Sequence, residues 1–382
     1  MRYLDHAATT PVRAEVLEAT LPYLTERFGN PSSHHTVGEA AAAVLDDARR
    51  RVARVVGMRP GDIVFTSGGT EADNLAIKGL AIGAALHRGA PVHVITTPIE
   101  HEAVLRSCAY LERVHGFRVT LVPVDATGRV DPAAIAVAVR SDTALISVGY
   151  ANNEVGTVQD VAAVADVART AGIPLHLDAV QAAGWLPLSG TGADALSIAG
   201  HKIGAPQGTG VLAVRGRLPL EPLLHGGGQE RERRSGTENV AGAVAIATAL
   251  ELAENERAEN AARVAPLRDA FVARILHTVP EAALTGHPVH RLPGTASFTF
   301  AGTSGEAVLL ELERRGYVSS SGSACAAGSA EPSHVLLALG IAPEVAQTAV
   351  RFTFGHDLDA DAGLDAVADA VAASVAAVRS GP

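Results

Sequence analysis

The sequence predicts an α/β fold, a mostly parallel seven-stranded sheet between helices, followed by a smaller α+β unit. Three observations carry that prediction. From about residue 60 to residue 215 short Val/Ile/Leu runs alternate with helix-forming stretches, the pattern of a parallel sheet covered on both faces. Several of these runs end in polar residues, as strands do where a parallel sheet presents its ligand-binding edge. After His225-Gly-Gly-Gly-Gln229 the pattern changes to a long Ala/Glu-rich helical region and then to a half-buried, alternating strand.

Taken in order, the strands are expected at Asp62 to Thr66, Val92 to Thr97, Arg118 to Val124, Ala144 to Gly149, Leu175 to Asp178, Ala195 to Ala199 and Gly210 to Val214. Between them Glu71 to Leu86 and Gln159 to Ala171 read as helices, and the helical region after Gln229 reaches about Leu276. Thr295 to Ala301 alternates like an antiparallel strand, Gly305 to Arg315 reads as a helix, and Thr348 to Phe354 as another strand.

The 382 residues, 47% hydrophobic and 19% charged, suffice for one large core and a smaller one, so two domains are expected. A net charge of -10 disfavours direct nucleic-acid or anionic-membrane binding, both of which draw on excess Lys and Arg. The one basic cluster, Arg231-Glu-Arg-Arg234, is interleaved with glutamate and reads as a solvated loop. Two cysteines cannot build a disulfide framework, the opening Met1-Arg-Tyr-Leu-Asp-His6 has no apolar stretch of signal-peptide length, and no run approaches the ~18 apolar residues of a membrane span. A cytoplasmic protein is expected.

The strand Ala195-Leu-Ser-Ile-Ala199 runs into Gly200-His-Lys202, and Leu175-His-Leu-Asp178 ends in an aspartate. A lysine at a strand mouth can form a Schiff base with an aldehyde cofactor, and a buried carboxylate can hold a pyridine nitrogen protonated, so the pair points to pyridoxal phosphate. Near 4 Å and at an effective dielectric of ~20, that carboxylate gains roughly 4 kcal/mol from the pyridinium. The plain alternative for Lys202 is a solvent-facing loop residue.

Ile63-Val-Phe-Thr-Ser-Gly-Gly-Thr70 leads into a helix at Glu71. Gly69 allows close approach and Thr70 is expected at the N-cap, an arrangement that binds phosphate and that also occurs as an ordinary cap. His101 and Asn152 each follow a strand, and His101 titrates near neutrality. Cys108 shares helical spacing with Val104 and Leu111 and reads as core. Cys325, in Ser319-Ser-Ser-Gly-Ser-Ala-Cys-Ala-Ala-Gly-Ser329, is a candidate nucleophile. An unactivated thiol of pKa about 8.5 is only a few per cent thiolate at pH 7, so that role needs activation at the site. Gly190-Thr-Gly-Ala-Asp-Ala195 opens a strand rather than a helix and is no dinucleotide site. His34-His35 lacks a further metal ligand at usable spacing.

Tyr3-Leu-Asp-His-Ala-Ala-Thr-Thr-Pro11, Gly29-Asn-Pro-Ser-Ser33, Phe65-Thr-Ser-Gly-Gly-Thr-Glu-Ala-Asp-Asn74, Glu100-His101, Asn152-Asn-Glu-Val-Gly156, His176-Leu-Asp-Ala-Val-Gln181, Gly200-His-Lys202, Arg234-Ser-Gly-Thr-Glu-Asn239, Ser320-Ser-Gly-Ser-Ala-Cys325 and Arg351-Phe352 follow one another in order. Together they resemble the cysteine desulfurases of the NifS/IscS type, a branch of the class V aminotransferases with the fold-type I architecture of pyridoxal phosphate enzymes.

The resemblance implies a large cofactor-binding domain over 16–260 and a small α+β domain of 1–15 and 261–382 that carries the Cys325 segment. It implies that Lys202 bonds the cofactor covalently, Asp178 pairs with the pyridinium, Gln181 bonds the ring hydroxyl, and His101 stacks on the ring and relays protons. Gly69, Thr70 and His201 would hold the phosphate, joined by Thr237 from the other subunit of a homodimer. Asn152 and Arg351 would hold the carboxylate of L-cysteine, the arginine through its bidentate fork.

Cys325 would take the substrate sulfur as a persulfide, releasing L-alanine, and pass it to an acceptor protein for iron–sulfur assembly or for thiolation of tRNA or a cofactor. A selenocysteine lyase, a direct C–S lyase, an aminotransferase and a sulfur-relay partner are the rival readings. Ala199 stands where many relatives have a phosphate-binding serine, Gln207 where lysine is frequent, and Ala326-Ala-Gly328 replaces a Thr/Ser-rich run. With the chain ending at Pro382, the C-terminal extension that housekeeping members use to engage the scaffold is expected to be absent, which leaves the acceptor open.

Overall fold

The computed structural model describes residues 1–321, 331–359 and 363–380. Its main sheet has seven strands, in the spatial order Ile63–Thr66, Gly210–Val214, Ala195–Ala199, Leu175–Asp178, Thr143–Gly149, His93–Thr96, Arg118–Leu121. Six are the parallel set, and Gly210–Val214 runs antiparallel to both of its neighbours. All seven expected strands therefore pair in one sheet.

Their sequences are apolar throughout because both faces are covered. Ile63, Ile95, Ile146, Leu177 and Ile198 pack into one core with Leu45, Val52, Val164 and Ile246 of the helices Thr36–Val56, Val161–Ala171 and Val240–Thr278. The neighbouring residues Val64, Val94, Leu145 and Leu212 point the other way, against Leu75, Leu80, Val104 and Leu111. The buried Cys108 lies in this second core, as expected.

The structure differs from the sequence expectation in several places. The helix expected over Glu71 to Leu86 extends from Gly69 to Arg88 and contains one wider turn, Leu75–Gly79. The strand from Arg118 stops at Leu121, just short of Pro123, whose ring removes a ladder donor. Among the helices not anticipated are Ala14–Thr25 and Thr36–Val56. The second carries Ala41, Leu45, Ala48, Val52 and Val56 on its buried face, a helical period legible in the sequence.

Val240–Thr278 is a 39-residue helix that serves both units. Its first half packs on the large sheet, whereas Val264, Phe271 and Ile275 join Phe298, Phe300 and Phe352 in a separate core that also takes Leu4. That core sits on a three-stranded antiparallel sheet, Val350–Thr353, Thr295–Phe300 and Ala282–Leu284. On this packing we propose that residues 1–15 and 261–382 form the small domain and 16–260 the large one. Among the described residues no helix is long and apolar enough to cross a membrane.

Candidate active site

A cavity of about 350 Å³ opens at the carboxyl ends of the parallel strands, lined by Gly69, Thr70, His101, Asn152, Asp178, Gln181, His201, Lys202 and Arg351 among others. Every one of these was singled out in the sequence. Thr237 does not line the cavity; it is exposed on the loop before Val240. Cys325 lies outside the described residues. The chain on either side of it is rooted at the cavity rim. Ser320 pairs with Arg351 through both backbone groups, the Ser333 hydroxyl donates to Glu154 at 2.5 Å, and His334 Nε2 bonds the Glu100 carbonyl at 3.0 Å.

The first strand delivers the glycine turn. Gly68, not Thr70, stands at the N-cap, so Thr70 falls in the first turn with its side chain exposed at the cavity. The helix starts earlier because the Glu71 carboxylate reaches back to the Ser67 N–H at 2.7 Å, closing a turn that the threonine was expected to cap. A Cβ on Gly69 would lie 2.7 Å from Val180 Cγ2 and 3.3 Å from Ala199 Cβ. Only glycine fits this wall.

Asp178 ends its strand facing the cavity, with Oδ1 accepting from the Val180 N–H at 2.9 Å. Burial raises its proton affinity, against the pull of that N–H, His101 and Lys202. His201 bonds the Thr9 hydroxyl through Nδ1 at 3.1 Å. Burial and then the Lys202 charge push its pKa down to about 4, so it is neutral at pH 7 and offers a ring N–H. His101 caps the helix Glu102–His115, accepting through Nδ1 from the Ala103 N–H at 3.1 Å; that assigns the ring proton to Nε2 when the ring is neutral.

Lys202 ends a short 3₁₀ turn, Gly200–Lys202, directly after its strand. Its Nζ donates to the carbonyls of Ala7 at 2.5 Å and Ala8 at 2.7 Å, and Gln181 Nε2 also donates to Ala7 at 3.1 Å. The N-terminal segment thus closes the cavity over the lysine. Asn152 folds on itself: Oδ1 accepts from the Glu154 and Val155 N–H groups, both at 2.9 Å, and Nδ2 donates to the Ile99 carbonyl at 2.8 Å. One N–H is left for a ligand. Arg351 donates to the Asn153 carbonyl at 2.7 Å and to Asp5 at 2.6 Å.

Sequence reasoning missed Asp5, Asp73 and Glu100 as members of the site. Asp73 and Glu100 line the cavity and are almost wholly buried. The only sequence signal was their presence inside the matched motifs, where neither had been given a role.

Residues 2–362 match the aminotransferase class-V family model, and the chain belongs to that family. It is 44% identical over 355 residues to the cysteine desulfurase IscS of Dictyoglomus turgidum, covering 92% of this chain and 89% of that one. It is 45% identical over 376 residues to an IscS-like cysteine desulfurase of Mycobacterium tuberculosis, covering 95% and 94%. Among solved structures, a NifS-like protein superposes with a TM-score of 0.90 at 35% identity, over 98% of this chain and all of that one. SspA in complex with cysteine does so with 0.79 at 35% identity, over 93% and 99%.

The family's cofactor is pyridoxal phosphate, and the residues here fit it. Gly69 lets the backbone of the turn pack directly against Val180 and Ala199 at the cavity wall, and Asp73 Oδ1 is buried without a hydrogen-bond partner in the cavity lining. Asp178, at the end of its strand and facing the cavity, is the carboxylate that suits a ring cation.

Proposed function

We propose that this chain is a pyridoxal phosphate-dependent cysteine desulfurase that takes sulfur from L-cysteine, releases L-alanine and works in the cytoplasm. The observation that carries this reading is the meeting of Asp178, His101, His201, Lys202 and Arg351 around one cavity. When bound, the cofactor supplies an electron sink for the pair released at the substrate α-carbon.

Asp178 would face the ring nitrogen and hold its charge, and His101 would stack on the ring. Gln181 would turn its amide to the ring hydroxyl. Gly69, Thr70 and the neutral His201 would hold the phosphate with N–H and hydroxyl donors. Lys202 would anchor the cofactor and move the α-proton through Nζ; the Ala7 and Ala8 carbonyls hold that amine when it is free and charged. Arg351 and the remaining Asn152 N–H would take the substrate carboxylate, with Arg351 shared between ligand and Asp5.

Cys325 would attack the substrate sulfur as a thiolate. The S–S bond forms as the C–S bond breaks, the carbon skeleton keeps the electron pair and takes up a proton, and sulfur remains on Cys325 as a persulfide for an acceptor protein. We also propose a homodimer in which Thr237 of each copy completes the other's phosphate site. Two features support it: Thr237 is exposed away from its own cavity, and Leu17, Leu21 and Leu24 line an apolar helix face that is 55%, 53% and 62% exposed.

Intact-mass measurement of the purified protein after L-cysteine, with and without reductant, tests the reading. Reducible sulfur on Cys325 together with stoichiometric alanine is the expected result. Alanine or pyruvate with Cys325 unmodified would move the assignment to a direct lyase.

A further inference from the structure

The cavity lining holds two acids that the reaction does not use, Asp73 and Glu100. Glu100 is 4% exposed and lines the cavity directly before His101. Its Oε1 accepts from the Thr97 hydroxyl at 2.6 Å. Its Oε2 lies over Gly149, where an added Cβ would come within 3.0 Å of it, and Gly149 is the register partner of Asp178 on the adjoining strand. Glu100 therefore sits one strand from the carboxylate that is to face the cofactor ring.

The charged and titratable groups facing it come from every neighbouring element. Asp178 and His101 act on it directly. Asp73, from the helical turn after Gly69, feels the charges of both Asp178 and Glu100, with its Oδ1 3.7 Å from His176 Nε2. Lys202 acts on the same Asp178. His334 holds the Glu100 carbonyl, and Cys108 feels its charge from behind the sheet. His176 brings no cation: it is clamped between the Ser147 and Ser197 hydroxyls at 2.9 and 2.8 Å, and burial pushes its pKa down to about 3.

We propose that Glu100 is a positioning residue that sets the charge of this cavity: seated over Gly149, its carboxyl decides whether an amino-acid ligand meets Asp178 alone or a second anion beside it. Burial, opposed by the Thr97 hydroxyl and reinforced by Asp178, pushes its pKa up to about 8. Below that pH Glu100 is a neutral acid, and the cavity admits a carboxylate-bearing ligand at Arg351 and Asn152. Above it, two neighbouring anions oppose the ligand. The proposal rests on the cofactor and substrate reading above and adds a pH limit to it.

L-Alanine is the ligand for the test, because it has no thiol that titrates in the same range. Holoenzyme affinity for L-alanine is measured from about pH 7 to about pH 9 in wild type, Glu100→Gln and Thr97→Val. Wild-type affinity should fall roughly fivefold more than that of Glu100→Gln across this range, the effect of about 1 kcal/mol between charges at ordinary intramolecular distances. Thr97→Val should move the midpoint upward, since the hydroxyl that favours the ionised form is gone.

The cofactor-free protein gives a second readout. A group with a raised folded-state pKa contributes stability that is present below its unfolded value and lost as pH climbs to the folded one, so the Tm of wild type should fall relative to Glu100→Gln between pH 4.5 and about 8. Superimposable pH profiles for wild type and Glu100→Gln in both readouts would overturn the proposal. Failure of wild type to take up the cofactor would sink the reading beneath it, and the proposal with it.

Discussion

Arg351 and Asp5 meet at 2.6 Å with side chains 2% and 14% exposed, and this pair helps tie the site to the N-terminus. Two residues beyond Asp5, Ala7 donates its N–H to the Thr353 hydroxyl at 2.9 Å and gives its carbonyl to Lys202 and Gln181. The arginine proposed to hold the substrate carboxylate and the lysine proposed to anchor the cofactor are thus linked through four consecutive residues, Asp5 to Ala8.

Asp5→Asn is expected to destabilise the cofactor-free protein by about 3 kcal/mol, because it leaves a buried guanidinium with weaker compensation. A ligand carboxylate at Arg351 would restore the lost partner. The rise in Tm on adding L-alanine to the holoenzyme should therefore be larger for Asp5→Asn than for wild type; equal rises would show that the carboxylate binds elsewhere.

Gly69→Ala is expected to weaken cofactor binding and to cost about 1–3 kcal/mol of stability by overpacking, since the new methyl would lie 2.7 Å from Val180 Cγ2. Adding Val180→Ala in the same chain should recover most of the cofactor affinity. No recovery would place the defect in the backbone of the turn instead.

Ala199→Ser adds a hydroxyl beside Gly69 on the side of the cavity proposed to hold the phosphate, where Ala199 is a lining residue. One net hydrogen bond is worth about 0.5–1.5 kcal/mol, so cofactor affinity in equilibrium dialysis should tighten by roughly two- to twelvefold. Unchanged affinity would show that the hydroxyl finds no acceptor there.

The Arg234–Glu71 pair, at 2.8 Å, braces the loop that carries Thr237. Burial pushes the Glu71 carboxyl up, but the Arg234 guanidinium and Ser67 outweigh it and hold the group below its usual range. A depressed carboxylate contributes stability that is present above its unfolded pKa and lost as pH falls through the folded one. Hydrogen-exchange protection factors in residues 229–239 should accordingly fall on acidification below about pH 4.5 and be low at neutral pH in Arg234→Ala. Equal protection at neutral pH in that variant and wild type would refute the bracing role.

Much of the site was legible because the cavity lies where parallel strands end, so residues following Ile63–Thr66, Leu175–Asp178 and Ala195–Ala199 had to face it. The acids were not legible in the same way. Whether Asp73 and Glu100 point to solvent or into the cavity depends on which helix turn covers which strand, and local sequence carries no such information. Thr70 shows the converse: its position was expected correctly, but its capping role went to Gly68 because Glu71 closed the turn from its own side chain.

By itself the sequence determined the order of chemistry along the chain: apolar runs long enough to be buried on both faces, several of them ending in a group able to bind or react. Only the tertiary structure decided that Asp5 neutralises Arg351, that Ala7 and Ala8 receive Lys202, and that Glu100 lies beside Asp178. Those relations join segments far apart in sequence, and their energies depend on burial and on distances of a few ångströms, quantities that exist only once the chain has folded.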